Sequence, residues 1–195
     1  MKGAEYLTER MVSAGVIAKA DEEIYQFGLE QGFWMVLNLV TALAWSAVWG
    51  MLAEGLCFMA AYMPLRIYAG GYHARTPLRC YGGGIVLLTA ALVLMRQIPW
   101  TLAGSAVVMA LAGGLLCVLA PVADENKPLS GREKLVYARR ARRIAAAETA
   151  AALLAGMAGW QVVVGSVSTM FVIMAALLLL GKLRQLLLSQ EAGMG

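Results

Sequence analysis

Residues 32–51 read GFWMVLNLVTALAWSAVWGM, a run of 20 residues without one charged side chain. A helix needs about 20 apolar residues to cross the hydrocarbon core of a bilayer, so this stretch predicts a transmembrane helix. Further apolar segments follow it along the chain and predict five more spans. They lie at about residues 53–69, 81–95, 98–120, 144–164 and 166–188.

The composition of the whole chain excludes most other classes of protein. Of its 195 residues, 61% are hydrophobic and 14% are charged, against about 45–50% and about 25% in soluble domains. A soluble chain of this length has too little interior to bury so many apolar side chains. Intrinsic disorder requires the opposite composition. We therefore predict an all-α integral membrane protein with about six transmembrane helices.

The positions of lysine and arginine predict the orientation of these helices. With six spans, every Lys and Arg except Arg96 falls on one side of the membrane. The positive-inside rule assigns that side, and both termini, to the cytoplasm. The net charge of +4 is then explained by cytoplasmic segments facing anionic lipid, and no nucleic-acid partner is expected. These observations predict a multi-pass protein of the cell membrane.

Two parts of the chain differ in character. Residues 1–31 are polar, with apolar residues at helical spacing and a break at Gly15, which predicts amphipathic helices on the cytoplasmic surface. Residues 32–195 are predicted to form the six-helix membrane domain, with cytoplasmic loops at 66–81 and 121–143. The spans are rich in Gly and Ala, which favours close helix packing.

Glu148 follows a basic run and is expected to pair with it.

The loop at 66–81 reads RIYAGGYHARTPLRCY and contains the only histidine, His73, with Cys80 seven residues later. The glycine pair at 70–71 predicts the end of the second span and a turn. Thr76-Pro77 predicts a helix start, with threonine as the cap and proline in the first helical position. Cys80 is therefore expected in the first turn of the third span.

This arrangement is typical of nucleophilic chemistry. A helix N-terminus and the nearby Arg75 and Arg79 favour the anionic, nucleophilic form of a thiol. His73 can accept the thiol proton and return it to a leaving amine. A histidine and a cysteine also occur together in loops by chance, so the pattern alone is weak. One His and one Cys are too few for a catalytic zinc, which takes about three protein ligands, and no metal or cofactor is expected.

The same stretch resembles the signature of the AgrB family, membrane cysteine endopeptidases that process the precursor of the autoinducing peptide in Gram-positive quorum sensing. The similarity lies in Arg66, in the Gly-Gly-x-His-Ala core at 70–74 and in Cys80. Residues 126–129, NKPL, are similar to a second family segment after the fourth span. The length and the apolar segments fit the family as well.

The resemblance implies a function and roles for these residues. Cys80 would be the nucleophile and His73 the general base and acid, while Arg66 and Gly71 would shape the site. The substrate would be an AgrD-like precursor peptide, cleaved through a thioester on Cys80 and cyclised to a thiolactone or lactone. A homodimer in the membrane of a Gram-positive bacterium is also implied.

Further assignments remain open at this level. Arg75 and Arg79 would attract the acidic tail of the precursor. Asp124, Glu125 and Asn126 are the candidates to orient His73. The alternative is a non-catalytic small membrane module, a transporter or an assembly factor, although the spans lack a mid-membrane acid–base pair. A lipid-modifying acyltransferase that uses the histidine would lack a partner acid in the right loop.

The predicted topology is testable with a membrane-impermeant thiol reagent. Cys80 should be labelled from the cytoplasmic side, because the charge distribution assigns the loop at 66–81 to the cytoplasm. In a double variant with Cys57→Ala and Cys117→Ala, Cys80 is the only thiol that the reagent can label. Labelling of Cys80 only from the outer face of intact cells would overturn the orientation.

Overall fold

The computed structural model of the chain describes residues 2–72, 76–122 and 130–193. Its contacts define two units, Met1–Ala44 and Trp45–Gly195. As predicted, the regular elements in this part of the chain are helical, and the described residues contain no strand. Their seven α-helices are α1 (Lys2–Ser13), α2 (Glu22–Val48), α3 (Leu52–Ala69), α4 (Pro77–Gln97), α5 (Leu102–Leu119), α6 (Gly131–Met157) and α7 (Gln161–Gly193).

The amphipathic N-terminal segment contains the predicted break. The first helix ends at Ser13, and Gly15 follows with a positive φ of 68°, a conformation that glycine adopts without steric cost. The next long helix begins at Glu22 and continues to Val48. The end of the amphipathic segment therefore shares one helix with the first predicted span.

Four helices of the described residues are long and apolar enough to cross a membrane, namely Lys19–Val48, Pro77–Gln97, Leu102–Leu119 and Gln161–Leu188. The prediction of six spans is thus confirmed for the first, third, fourth and sixth segments only. The second segment is α3, which carries Glu54 and Arg66 within 18 residues. The fifth is part of α6, whose residues 131–143 are polar and basic. Charges and small residues lower the mean hydropathy of both helices.

The last helix, α7, is the centre of the second unit. It packs against α3, α4, α5 and α6. Of the 18 residues that form its most apolar stretch, 61% are buried, whereas the corresponding share is 17% in α4 and in α5. Small residues allow close packing around it. A side chain at Gly113 would meet the ring of Phe171 at 3.3 Å, and one at Gly165 would meet Trp100 at 3.2 Å. These contacts agree with the predicted role of glycine in packing.

The helices of the second unit alternate in direction between two ends. At one end, the backbone of Gly70 pairs with Val122. At the other end, Ser166 donates a hydrogen bond to the carbonyl of Glu54 at 3.2 Å. The basic residues follow this division, because Arg96 lies at the end of α4 close to the second group of contacts. The other described lysines and arginines of this unit lie towards the first end.

The basic segment before the fifth predicted span is mostly helix. The loop predicted at 121–143 becomes α6 at Gly131, because Ser130 and Glu133 form a reciprocal capping box. Arg142 donates through Nε and Nη2 to the carbonyl of Cys117, at 3.2 and 2.8 Å. This carbonyl has no helical donor, since the residue four positions on is Pro121, which lacks an N–H. Arg142 therefore stabilises the end of α5.

The expected pairing of Glu148 with the basic run is wrong for the described residues. Its Oε2 atom is buried and has no hydrogen-bond partner among them. The physical reason is helical register, because Glu148 shares a face of α6 with the buried Ala141, Ala145 and Ala152. Arg140 and Arg142 instead turn towards neighbouring helices. The predicted end of this span at residue 164 is also late, since α6 ends at Met157.

The role assigned to Arg142 predicts a loss of stability on substitution. Arg142→Ala leaves the carbonyl of Cys117 without a donor, which costs about 1 kcal/mol or more. In a chain of this size, that corresponds to a decrease in Tm of about 2–4 °C, measured by thermal unfolding in detergent. Arg143→Ala is the matched control, because it removes an exposed arginine from the same helix. Equal Tm values for the two variants would contradict the role.

Candidate functional site

The predicted turn at the end of the second segment begins at Gly70. The helix α3 ends at Ala69, and Gly70 and Gly71 follow with φ values of 70° and 109°. Both values are positive, and residues other than glycine rarely adopt a positive φ. The chain leaves the helix here in a short extended stretch, which we call the Gly70–Tyr72 segment.

Backbone hydrogen bonds join this segment to two other parts of the bundle. The N–H of Gly71 donates to the carbonyl of Val122 at 3.2 Å, and the N–H of Val122 donates to Ala69 at 3.0 Å. The N–H of Tyr72 donates to the carbonyl of Leu177 in α7 at 3.0 Å. The end of α3 is thereby connected to the stretch that follows α5 and to the central helix.

Arg66 completes the hydrogen bonding of the same segment. Its Nη1 donates to the carbonyl of Gly70, and its Nη2 donates to the carbonyl of Tyr72. A planar guanidinium is suited to this because it directs several donors from one rigid group. The structure brings together Arg66 and Gly71, the two residues that the sequence predicts to shape the site.

Close backbone contact explains why glycines occur here. A side chain at Gly71 would lie 2.6 Å from Nη1 of Arg66, and one at Gly181 would lie 2.8 Å from the backbone nitrogen of Tyr72. Sequence reasoning missed Gly181 and Leu177. The available signal was weak, a glycine that interrupts the leucine run at 177–183, because a glycine in a membrane helix has many explanations.

The predicted start of the following helix is confirmed. The side chain of Thr76 accepts a hydrogen bond from the N–H of Arg79 at 3.3 Å, and Pro77 occupies the first helical position. The N–H of Cys80 donates to the carbonyl of Thr76 at 2.9 Å. Cys80 is exposed and is not in a disulfide. Its thiol is therefore accessible in the first turn of α4, where the helix dipole is positive.

Two further side chains are close in sequence to these residues. Tyr62 lies on α3 one turn before Arg66, and its ring stacks on Phe58 at a centroid distance of 5.5 Å. Arg79 is exposed and directly precedes Cys80 in the first turn of α4.

Several predicted site residues lie outside the described residues. They are His73, Arg75, Asp124, Glu125 and Asn126. The described residues that precede them, Tyr72 and Val122, both contact the position of Gly181. The stretch that contains His73 and the stretch that contains the acidic candidates therefore start from one point of the bundle. No group of three metal-binding side chains occurs among the residues with described positions.

The fold and this site define an all-helical membrane protein with an exposed cysteine at the start of a helix, beside a glycine turn held by an arginine. The sequence profile of accessory gene regulator B matches residues 4–179, nearly the whole chain, and the chain belongs to the AgrB family. No curated protein and no solved structure is similar enough to match. Membership supports a role in the agr quorum-sensing system, in which an AgrD-like precursor peptide is the substrate.

The geometry of the turn predicts a strong effect of Gly70→Ala. The new Cβ would clash with the carbonyl oxygen of Val122 and would require a positive φ, which costs about 1–3 kcal/mol. We expect a lower Tm in detergent and loss of precursor processing. Gly83→Ala is the control, because Gly83 is helical with open space around it, and alanine is favoured there by about 1 kcal/mol. An unchanged Tm for Gly70→Ala would contradict the geometry.

Proposed function

We propose that this protein is a membrane-embedded cysteine endopeptidase. It cleaves the C-terminal part of an AgrD-like precursor through a thioester on Cys80 and promotes cyclisation of the remaining peptide. The observation that carries the proposal is the exposed, free Cys80 thiol in the first turn of α4, a few residues after the Gly70–Tyr72 segment that Arg66 holds. His73 directly follows Tyr72, whose N–H and carbonyl are both held by hydrogen bonds.

In the first step, the sulfur of Cys80 attacks the carbonyl of the scissile peptide bond. His73 accepts the thiol proton and then donates it to the leaving nitrogen, as a general base that becomes a general acid. The C–N bond breaks, and the C-terminal tail leaves with a free amine. The N-terminal part of the precursor stays on Cys80 as a thioester.

In the second step, a cysteine or serine within the bound peptide attacks this thioester. His73 accepts the proton of the attacking thiol or hydroxyl, the new thioester or ester closes the ring, and the bond to Cys80 breaks. The sulfur of Cys80 then receives that proton from His73. Exchange of one thioester for another is nearly isoenergetic, whereas hydrolysis of the thioester by water is favourable. Ring closure therefore has to compete with hydrolysis. A site with little water at the membrane edge favours ring closure.

The remaining predicted residues position these groups. Arg66 and Gly71 maintain the backbone that leads to His73, and Arg75 and Arg79 attract the acidic tail of the precursor. The acidic candidates, Asp124 and Glu125, and the neighbouring Asn126 belong to the stretch that leaves the bundle at Val122. Val122 and Tyr72 adjoin the same glycine of α7, which supports the assignment because the two stretches begin at neighbouring positions.

The proposed arrangement in the membrane has six crossings. The helices α3 and α6 are included because they run between the same two ends as α5 and α7. For α3 these ends are marked by Gly70 and Glu54, and for α6 by the contact of Arg142 with Cys117 and by the proximity of Gly156 to Leu102. Both termini and the site face the cytoplasm, in agreement with the distribution of basic residues. Exposed apolar side chains on one face of α5, at Val107, Leu111 and Val118, support contact with lipid or with the second copy of a homodimer. The proposal also includes the division of the chain into the amphipathic segment 1–31 and the membrane domain 32–195. It further includes a Gram-positive bacterium as the source.

Co-expression with the precursor encoded beside the gene tests the catalytic assignment. Cys80→Ala and His73→Ala should abolish cleavage, since the first removes the nucleophile and the second the proton carrier. Cys57→Ala and Cys117→Ala are controls that remove the other two thiols and should process the precursor as the wild type does. Mass spectrometry of the released peptides gives the result. Continued cleavage by the Cys80 and His73 variants would favour a non-catalytic membrane module.

A further inference from the structure

A shallow, largely open cavity of about 270 Å³ lies next to the candidate site and is not used by the chemistry described above. It is lined by Tyr72, Leu180, Leu183, Arg184 and Leu187. Sites for whole small molecules are usually larger, about 300–1,000 Å³. The lining is almost entirely apolar, so the cavity suits one apolar side chain better than a complete ligand.

The wall of this cavity belongs to the same hydrogen-bonded cluster as the site. Tyr72 contributes its ring to the cavity, while its N–H and carbonyl are bound by Leu177 and Arg66. The guanidinium of Arg184 lies over the ring of Tyr72, 5.6 Å from its centroid. The next residue along the chain is His73. A group bound in the cavity is therefore one residue away from the candidate general base.

We propose that this cavity binds an apolar side chain of the precursor peptide next to the bond that is cleaved, with Arg184 attracting a carboxylate beside it. This inference rests on the proposed function. The leucines and the tyrosine ring provide apolar contact, and Arg184 provides the positive charge at the rim. Leu179 and Leu186 are also exposed on α7 but do not line the cavity, so they serve as reference positions on the same helix.

Adjacent leucines of α7 provide a matched test. Leu187→Trp places a large side chain at the cavity, whereas Leu186→Trp makes the same change outside it. The two leucines are equally exposed, with 54% of the surface accessible for Leu187 and 52% for Leu186. Purified protein in nanodiscs is assayed with the precursor encoded beside the gene. Loss of one leucine-sized contact corresponds to a change of about tenfold or more. We therefore expect Leu187→Trp to raise KM about tenfold with little change in kcat, and Leu186→Trp to match the wild type.

A binding measurement supports the kinetic one and detects a folding defect. Precursor peptides that carry benzoylphenylalanine at each apolar residue flanking the cleavage site are cross-linked to Cys80→Ala protein. The proposal predicts cross-links to the 180–187 peptide of α7 that Leu187→Trp suppresses and Leu186→Trp does not. Equal KM values for the two tryptophan variants, or cross-links only to other parts of the protein, would overturn the cavity assignment. Cleavage by the wild type in the same assay would still uphold the proposed function. A wild type that cleaves no precursor would overturn both.

Discussion

The guanidinium of Arg66 donates hydrogen bonds to the carbonyls of Gly70 and Tyr72, in a stretch where the chain is no longer helical. Non-helical backbone inside a membrane protein is stable only where its N–H and C=O groups find partners within the protein. The N–H groups of Gly71 and Tyr72 donate to the carbonyls of Val122 and Leu177. The Gly70–Tyr72 segment is thus held on both of its hydrogen-bonding sides.

The geometry around the segment follows from this requirement. Gly70 and Gly71 have positive φ values, and Gly181 leaves room on α7 for the backbone of Tyr72. Arg142 has a comparable role at the end of α5, where Pro121 removes the helical donor to Cys117. In both places an arginine supplies hydrogen bonds that the local backbone lacks.

The same constraint limits where the reactive groups lie. Tyr72 is fixed by its backbone and Thr76 begins α4, so the chain between them extends over at most about 15 Å. Cys80 and Tyr72, which precedes the proposed base His73, therefore lie at the two ends of a short connection. The cavity lined by Tyr72 adjoins the first of those ends.

Local patterns were predictable from the sequence, and long-range pairings were not. The helix start at Thr76 and the turn at Gly70 follow from residue types over a few positions, and both are confirmed. The contacts of Tyr72 with Leu177 and Gly181 join positions more than 100 residues apart, and no local pattern reveals them. The six predicted spans and the four helices that are apolar enough to cross a membrane differ at α3 and α6, where charged and small residues lower the mean hydropathy.

The most direct measurement of the central claim is the mass of the protein during processing. A precursor whose ring-forming cysteine or serine is replaced by alanine cannot close the ring, so the intermediate accumulates. We predict an adduct on Cys80 that equals the precursor without its C-terminal tail and that hydroxylamine releases as a thioester. Cleavage of this precursor without such an adduct, or with the adduct on another residue, would contradict the account.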